Sequence, residues 1–163
     1  MCLKSKFFSI FSLYYDTYQP FSKQEIQKVV DVSPIELPNE YISFLKEIGR
    51  ATFSENCYDV IMNFWNISQI EEWLRTSPQF VKTIPTGIPI GDDMGDILYY
   101  YGNGNDSLGY YAVEKGSGNF YEDAYKFSDT LVDFLTSVEL IKRLSIWIDT
   151  GLMWIWRLLP KLM

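Results

Sequence analysis

Residues 88–114, IPIGDDMGDILYYYGNGNDSLGYYAVE, constrain the fold of this chain more than any other stretch. Residues 97–101 and 109–114 are short runs rich in tyrosine and aliphatic residues, and both read as strands. Between them, GNGNDS supplies glycine and asparagine, the residues that best tolerate positive φ. A hairpin with its loop at 102–108 is therefore expected. Side chains alternate along a strand, so Tyr99 and Tyr101 share one face and Tyr100 takes the other. A further strand is expected at 88–90, and Gly91 and Gly95, with Asp92, Asp93 and Asp96, form the turn that leads out of it.

Three carboxylates so close together raise the question of a Mg²⁺ or Ca²⁺ site, or of acid–base chemistry. Their spacing argues against both. A calcium loop places acids at alternate positions, a glycine sixth and a distant glutamate, whereas these aspartates are adjacent and then three apart, with no matching glutamate. Adjacent aspartates in a strand also point to opposite faces. The chain contains no histidine. Ser–His–Asp and Cys–His catalysis, His-containing zinc sites and the commonest general base are thereby excluded. No catalytic residue, metal or cofactor is expected.

The flanks of the hairpin read as helices. Ser22 with Glu25 resembles a capping box, and Ile26, Val29 and Val30 follow at helical spacing up to Ser33-Pro34. In LPNEYISFLKEIG (37–49), Pro38 suits a first turn, Tyr41, Phe44, Leu45 and Ile48 form one apolar face, and Gly49 stops the helix. Residues 58–64 read as a strand. A short helix carrying Ile70, Trp73 and Leu74 follows, capped by Asn66 or Ser68 and ending near Ser77-Pro78. Leu131, Phe134, Leu135, Val138 and Ile141 return to helical spacing, with Ser128 or Asp129 as the cap. Helices first, strands in the middle and helices last predict an α+β fold. A chain of 163 residues is expected to form a single domain, mostly antiparallel sheet with helices packed around it.

Charge is unevenly spread. Residues 1–52 carry six basic and six acidic side chains, and residues 115–163 carry six of each. The middle, 53–114, sets nine acids against Arg75 and Lys82, so the net charge of −7 arises there. That field repels nucleic acid and attracts basic proteins. Cys2 and Cys57 make no spaced pattern, which fits idle thiols in a reducing, cytoplasmic setting. The opening MCLKSKFFSIFSLYY lacks a small-residue cleavage site and is read as mature structure. The closing stretch 144–163 is aromatic, with Trp147, Trp154 and Trp156. Asp149 interrupts its apolar run, which is too short to span a bilayer. It is expected to form a helical extension docked on the domain, the alternative being a membrane-surface contact.

Taken together, LPNEYISFLKEIG and IPIGDDMGDILYYY resemble the paired motifs of the SUKH superfamily. The likeness lies in a Leu-Pro before a short helix ending in glycine, then a Pro-Ile-Gly followed by Gly-Asp and a strand. The order of elements agrees over about residues 22–143, including a closing helix at FSDTLVDFL. The resemblance implies an α+β fold without catalytic function. It also implies an immunity protein that binds and neutralises a cognate bacterial toxin, nuclease-type and basic where it meets the inhibitor. Some members instead serve as regulatory or scaffold proteins. With such a partner, the expected contact residues are Glu71, Glu72, Asp92, Asp93, Asp96, Tyr99, Tyr101, Asp106 and Glu114. They combine negative charge with the aromatic rings that favour hot spots.

Overall fold

The structure, a computed structural model, describes residues 18–54 and 60–137. The expectations for the cysteines, the N-terminal segment, the end of the closing helix and the Trp-rich extension lie outside these residues. The described chain is an α+β fold built on one seven-stranded sheet. The strands are β1 (Tyr18–Gln19), β2 (Arg50–Ser54), β3 (Val60–Phe64), β4 (Gly87–Asp92), β5 (Ile97–Asn103), β6 (Leu108–Glu114) and β7 (Tyr125–Ser128). They lie in sequence order, each antiparallel to the next. The helices are α1 (Lys23–Val32), α2 (Asn39–Glu47), α3 (Ile67–Thr76), α4 (Pro78–Thr83), α5 (Phe120–Asp123) and α6, described over 131–137.

Local chemistry explains most boundaries. Ser22 accepts from the Glu25 backbone N–H while the Glu25 carboxylate takes the Ser22 N–H, closing the capping box of α1. Asn66 and Gln69 do the same for α3. After α2 the chain turns at Gly49, whose φ is +67°. A side-chain carbon there would stand 2.2 Å from the Gln19 carbonyl oxygen, so only glycine lets β1 approach. Pro89 sits inside a central strand, where its missing N–H would break a ladder. The register of β4 against β5 shifts between Pro89 and Gly91, so the proline borders a bulge at Ile90.

Both faces of the sheet are covered. On one, Phe44 of α2 packs on Phe64 with ring centroids 4.2 Å apart. Phe134 of α6 packs on the same face, 5.5 Å from Tyr99 and 5.3 Å from Tyr110. On the other, Phe80 of α4 meets Tyr100 and Phe120 of α5, each at 5.5 Å. The register sets Tyr100 against Tyr111 and Tyr101 against Tyr110. Rings therefore meet across strands as well as on helices, Tyr100 and Tyr111 stacked at 5.1 Å and Tyr101 and Tyr110 tilted at 4.9 Å. The alternation of Tyr99 and Tyr101 against Tyr100 is as expected. The consequence for Tyr99 and Tyr101 is not: both are buried, because α6 and α2 cover the face they share.

Several elements exceed the sequence expectation. β1, β2, β7, α4 and α5 have weak or no periodic signal, and the helix expected to end at Ser77-Pro78 restarts as α4 with Pro78 in its first turn. The cap of α6 also differs. Thr130 supplies the side-chain oxygen to the Asp133 N–H and binds the Asp133 carboxylate in return. The Leu131 N–H is taken at long range by Glu40 of α2, which also accepts from the Tyr110 hydroxyl at 3.2 Å. One carboxylate thus ties α2, β6 and α6 together.

Candidate functional site

The hairpin β5–β6 carries acids at both ends, separated by the length of β5, roughly 20 Å at ~3.4 Å per residue. At the first end is the β4–β5 turn. Asp92 is 9% exposed. One carboxylate oxygen accepts from the Asn63 amide at 2.9 Å and the Met94 N–H at 3.2 Å. The other accepts from the Lys115 ammonium at 2.8 Å. Burial pushes the Asp92 carboxyl up. The Lys115 ammonium, the Asn63 amide and the Trp65 indole together outweigh burial and hold it below the ordinary carboxylate range. Lys115 also donates to the Gly95 carbonyl at 2.7 Å, and its N–H donates to the Asp96 carbonyl at 2.7 Å.

Asp93 turns back on its own loop, accepting from the Gly95 and Ile97 N–H groups at 2.8 and 3.0 Å. Met94, at the tip, has φ +59° and is 64% exposed. Of the four acids at this end, Asp96 and Glu114 are exposed, Asp93 is half-buried and Asp92 is buried. The three aspartates do not converge. Among the described residues, no group of three or more cysteine, aspartate or glutamate side chains is placed to hold a metal ion.

The second end is the β5–β6 loop. Asp106 is exposed there, while Asn105 carries the loop onto α5, its amide donating to the Glu122 and Ala124 carbonyls at 3.3 and 3.0 Å. Glu122 and Asp123 of α5 are exposed as well. Asp123 accepts from the Ser117 hydroxyl at 2.7 Å. Neither the Asp106 nor the Glu122 carboxylate has a hydrogen bond or ion pair among the described residues. Lys126 is the nearby cation, bound to Asp129 at 2.6 Å and to the Ser107 hydroxyl.

Glu71 and Glu72 occupy a third place, the solvent side of α3. The Glu72–Arg75 pair is 3.8 Å long with both side chains about 70% exposed, a geometry that contributes little. The sequence-expected contact residues are thus dispersed. Asp96 and Glu114 share one end, Asp106 stands at the other, and Glu71 and Glu72 lie on a helix. Tyr99 and Tyr101 are buried in the core, while Asp92 and Asp93 are occupied in building the turn. Lys115, Glu122 and Asp123 were not singled out from sequence. Lys115 follows the strand by one residue and gives no motif, and Glu122-Asp123 looks like ordinary surface.

Among the described residues no helix is long and apolar enough to cross a membrane. No curated protein and no solved structure gives a match to the chain. A family model, SMI1 / KNR4 family (SUKH-1), matches residues 20–137, from the strand–helix junction before α1 to the last described turn of α6. With well over half its length covered, including the Leu-Pro helix and the Pro-Ile-Gly bulge, the chain belongs to the SMI1 / KNR4 family (SUKH-1).

Proposed function

We propose that this chain is an immunity protein, neutralising a cognate bacterial toxin by protein–protein contact and without chemistry of its own. Family membership carries the reading, since SUKH proteins are associated with immunity in toxin systems. The charge distribution supports it. A toxin that acts on nucleic acid is basic where it holds substrate, and outward carboxylates of this chain complement such a surface. Asp96, Asp106, Glu114, Glu71 and Glu72 are the exposed acids from which the contact is drawn. The setting proposed is the cytoplasm of the toxin-producing cell.

The test is co-expression with the toxin encoded beside this chain, followed by titration calorimetry of the purified pair. Rescue of growth with a saturable 1:1 heat is expected. Continued killing, with no heat on mixing, sinks the reading.

A further inference from the structure

We propose that this fold opens along the line between β3 and β4, with Asn63 and Glu40 as the polar clasps that hold it closed. The part that moves away is β1–β3 with α1 and α2, and the part that stays paired is β4–β7. Nothing in this motion depends on the immunity reading.

The sheet is unevenly joined. β5 and β6 are paired along their whole length, from Ile97 with Glu114 to Asn103 with Leu108. Between β3 and β4 only Asn63 with Asp92 and Phe64 with Gly91 are in register, and the Trp65 N–H adds one bond to the Ile90 carbonyl at 3.1 Å. Val60–Met62 and Gly87–Pro89 fall outside that register, and the bulge at Ile90 lies beside the junction. Only the two-residue edge strand β1 is joined to the sheet by as few pairs.

Side chains make up the difference. The Thr52 hydroxyl donates to the Asn63 carbonyl oxygen at 3.1 Å, the Asn63 amide donates to Asp92 at 2.9 Å, and Lys115 donates to Asp92 at 2.8 Å. This polar chain runs from β2 through β3 and β4 to the residue after β6, and Asn63 is its link across the line. The second clasp is Glu40 of α2. Its carboxylate takes the Tyr110 hydroxyl and the Leu131 N–H, both from the other part.

The closed form carries a cost that opening relieves. Tyr41, beside Glu40 on α2, is 0% exposed, and its hydroxyl makes no hydrogen bond. A buried hydroxyl without a partner is costly, and parting α2 from the sheet gives it water. The apolar core is continuous across the line and opposes the motion. The open form is therefore a minor state, reached without unfolding the β5–β6 hairpin.

The test is hydrogen exchange of the ¹⁵N-labelled full chain, followed by NMR in urea below the unfolding transition. The Trp65 amide reports on the junction, and the paired amides of residues 98–102 report on the hairpin. Trp65 is expected to exchange about tenfold or more faster than the hairpin. Its rate is expected to climb with urea, because opening exposes surface. Asn63→Ala and Glu40→Ala are each expected to speed Trp65 about tenfold, the scale of the hydrogen bonds removed. Asn105→Ala, which loosens the β5–β6 loop from α5, is expected to speed the hairpin amides and leave Trp65 unchanged, since that contact survives the opening.

A Trp65 rate indifferent to urea is the fraying of a strand end and overturns the proposal. So does a Trp65 amide that follows the hairpin in every variant, because the sheet then comes apart only as a whole. An unchanged Trp65 rate in both clasp variants overturns the role of Asn63 and Glu40. If a clasp variant does not fold, the wild-type urea series and Asn105→Ala still decide whether the line opens.

Discussion

The two ends of the β5–β6 hairpin carry similar numbers of acids and use them in opposite ways. At the β4–β5 turn, carboxylates are the mortar. Asp92 gathers Asn63, Met94 and Lys115, and Asp93 gathers the Gly95 and Ile97 N–H groups. At the β5–β6 loop, neutral groups hold the backbone. The Asn105 amide reaches α5, the Gly104 N–H reaches Ser107, and the Tyr111 hydroxyl engages the Ser107 backbone. There the Asp106 and Glu122 carboxylates make no hydrogen bond or ion pair among the described residues, while Asp123 accepts from the Ser117 hydroxyl. Counting carboxylates in a sequence therefore overstates the charge a partner meets, because Asp92 is buried and already paired with the Lys115 ammonium.

The largest effect that tests this contrast is removal of Asp92. Asp92→Ala leaves the Lys115 ammonium, whose side chain is 25% exposed, with the Gly95 carbonyl but no counter-charge, and leaves the Asn63 amide and the Met94 N–H without their acceptor. A loss of about 3 kcal/mol is expected in urea unfolding, as for breaking a largely buried pair from one side. A loss below about 1 kcal/mol would show the turn to be held by its backbone instead.

The next effect belongs to the other end. A side-chain carbon on Gly104 would stand 2.4 Å from the Tyr111 ring, inside the Tyr100–Tyr111 stack. Gly104→Ala must push that stack toward Phe80, and about 2 kcal/mol of overpacking is expected. If alanine is accepted within about 0.5 kcal/mol, the loop is looser than this packing describes, and the contrast between the ends weakens.

A pH profile sharpens the comparison further. The Asp92 carboxyl titrates below its ordinary range when folded. Its contribution is therefore present in full above the unfolded value of about 3.9 and is lost as the pH falls through the folded value. Asp92→Asn keeps the shape and removes the charge. The gap between wild type and variant, about 1–2 kcal/mol near neutrality, is expected to stay flat down to about pH 5 and to close below about pH 4. Urea denaturation from pH 7 to pH 2.5 reads it. A gap independent of pH would mean that Asp92 holds the turn by geometry without charge.

Much of this fold was legible because it is local. The capping box at Ser22, the apolar face of α2 and the β5–β6 hairpin each announce themselves within a few residues, and Asn66 proves to be the cap of α3 where Ser68 was the alternative. What escaped depends on the third dimension. β2 and β7 are strands by virtue of their neighbours, and α4 is a helix because Phe80 has Tyr100 and Phe120 to pack on. Glu40 lies in the first turn of its own helix, yet its carboxylate takes the Leu131 N–H of α6, 91 residues away. The site suffered most from burial. Alternation correctly put Tyr99 and Tyr101 on one face, but no local pattern tells that a later helix will cover it with Phe134. Nor does spacing reveal that Lys115 will reach back to Asp92.

The smallest effect on folding is the most discriminating for the comparison. Asp106→Asn removes a carboxylate that makes no hydrogen bond or ion pair among the described residues. Its field reaches Lys126, which keeps its own partner in Asp129 at 2.6 Å. A change in stability within about 0.5 kcal/mol is expected, against several times that for Asp92 at the opposite end. The same substitution subtracts a full charge from what an approaching basic partner encounters. Its effect is therefore expected in the association rate at low salt and is expected to fade as salt is raised. A large loss of stability in Asp106→Asn would place this carboxylate, too, among the groups that build the fold. The two ends would then differ only in which residues do the holding.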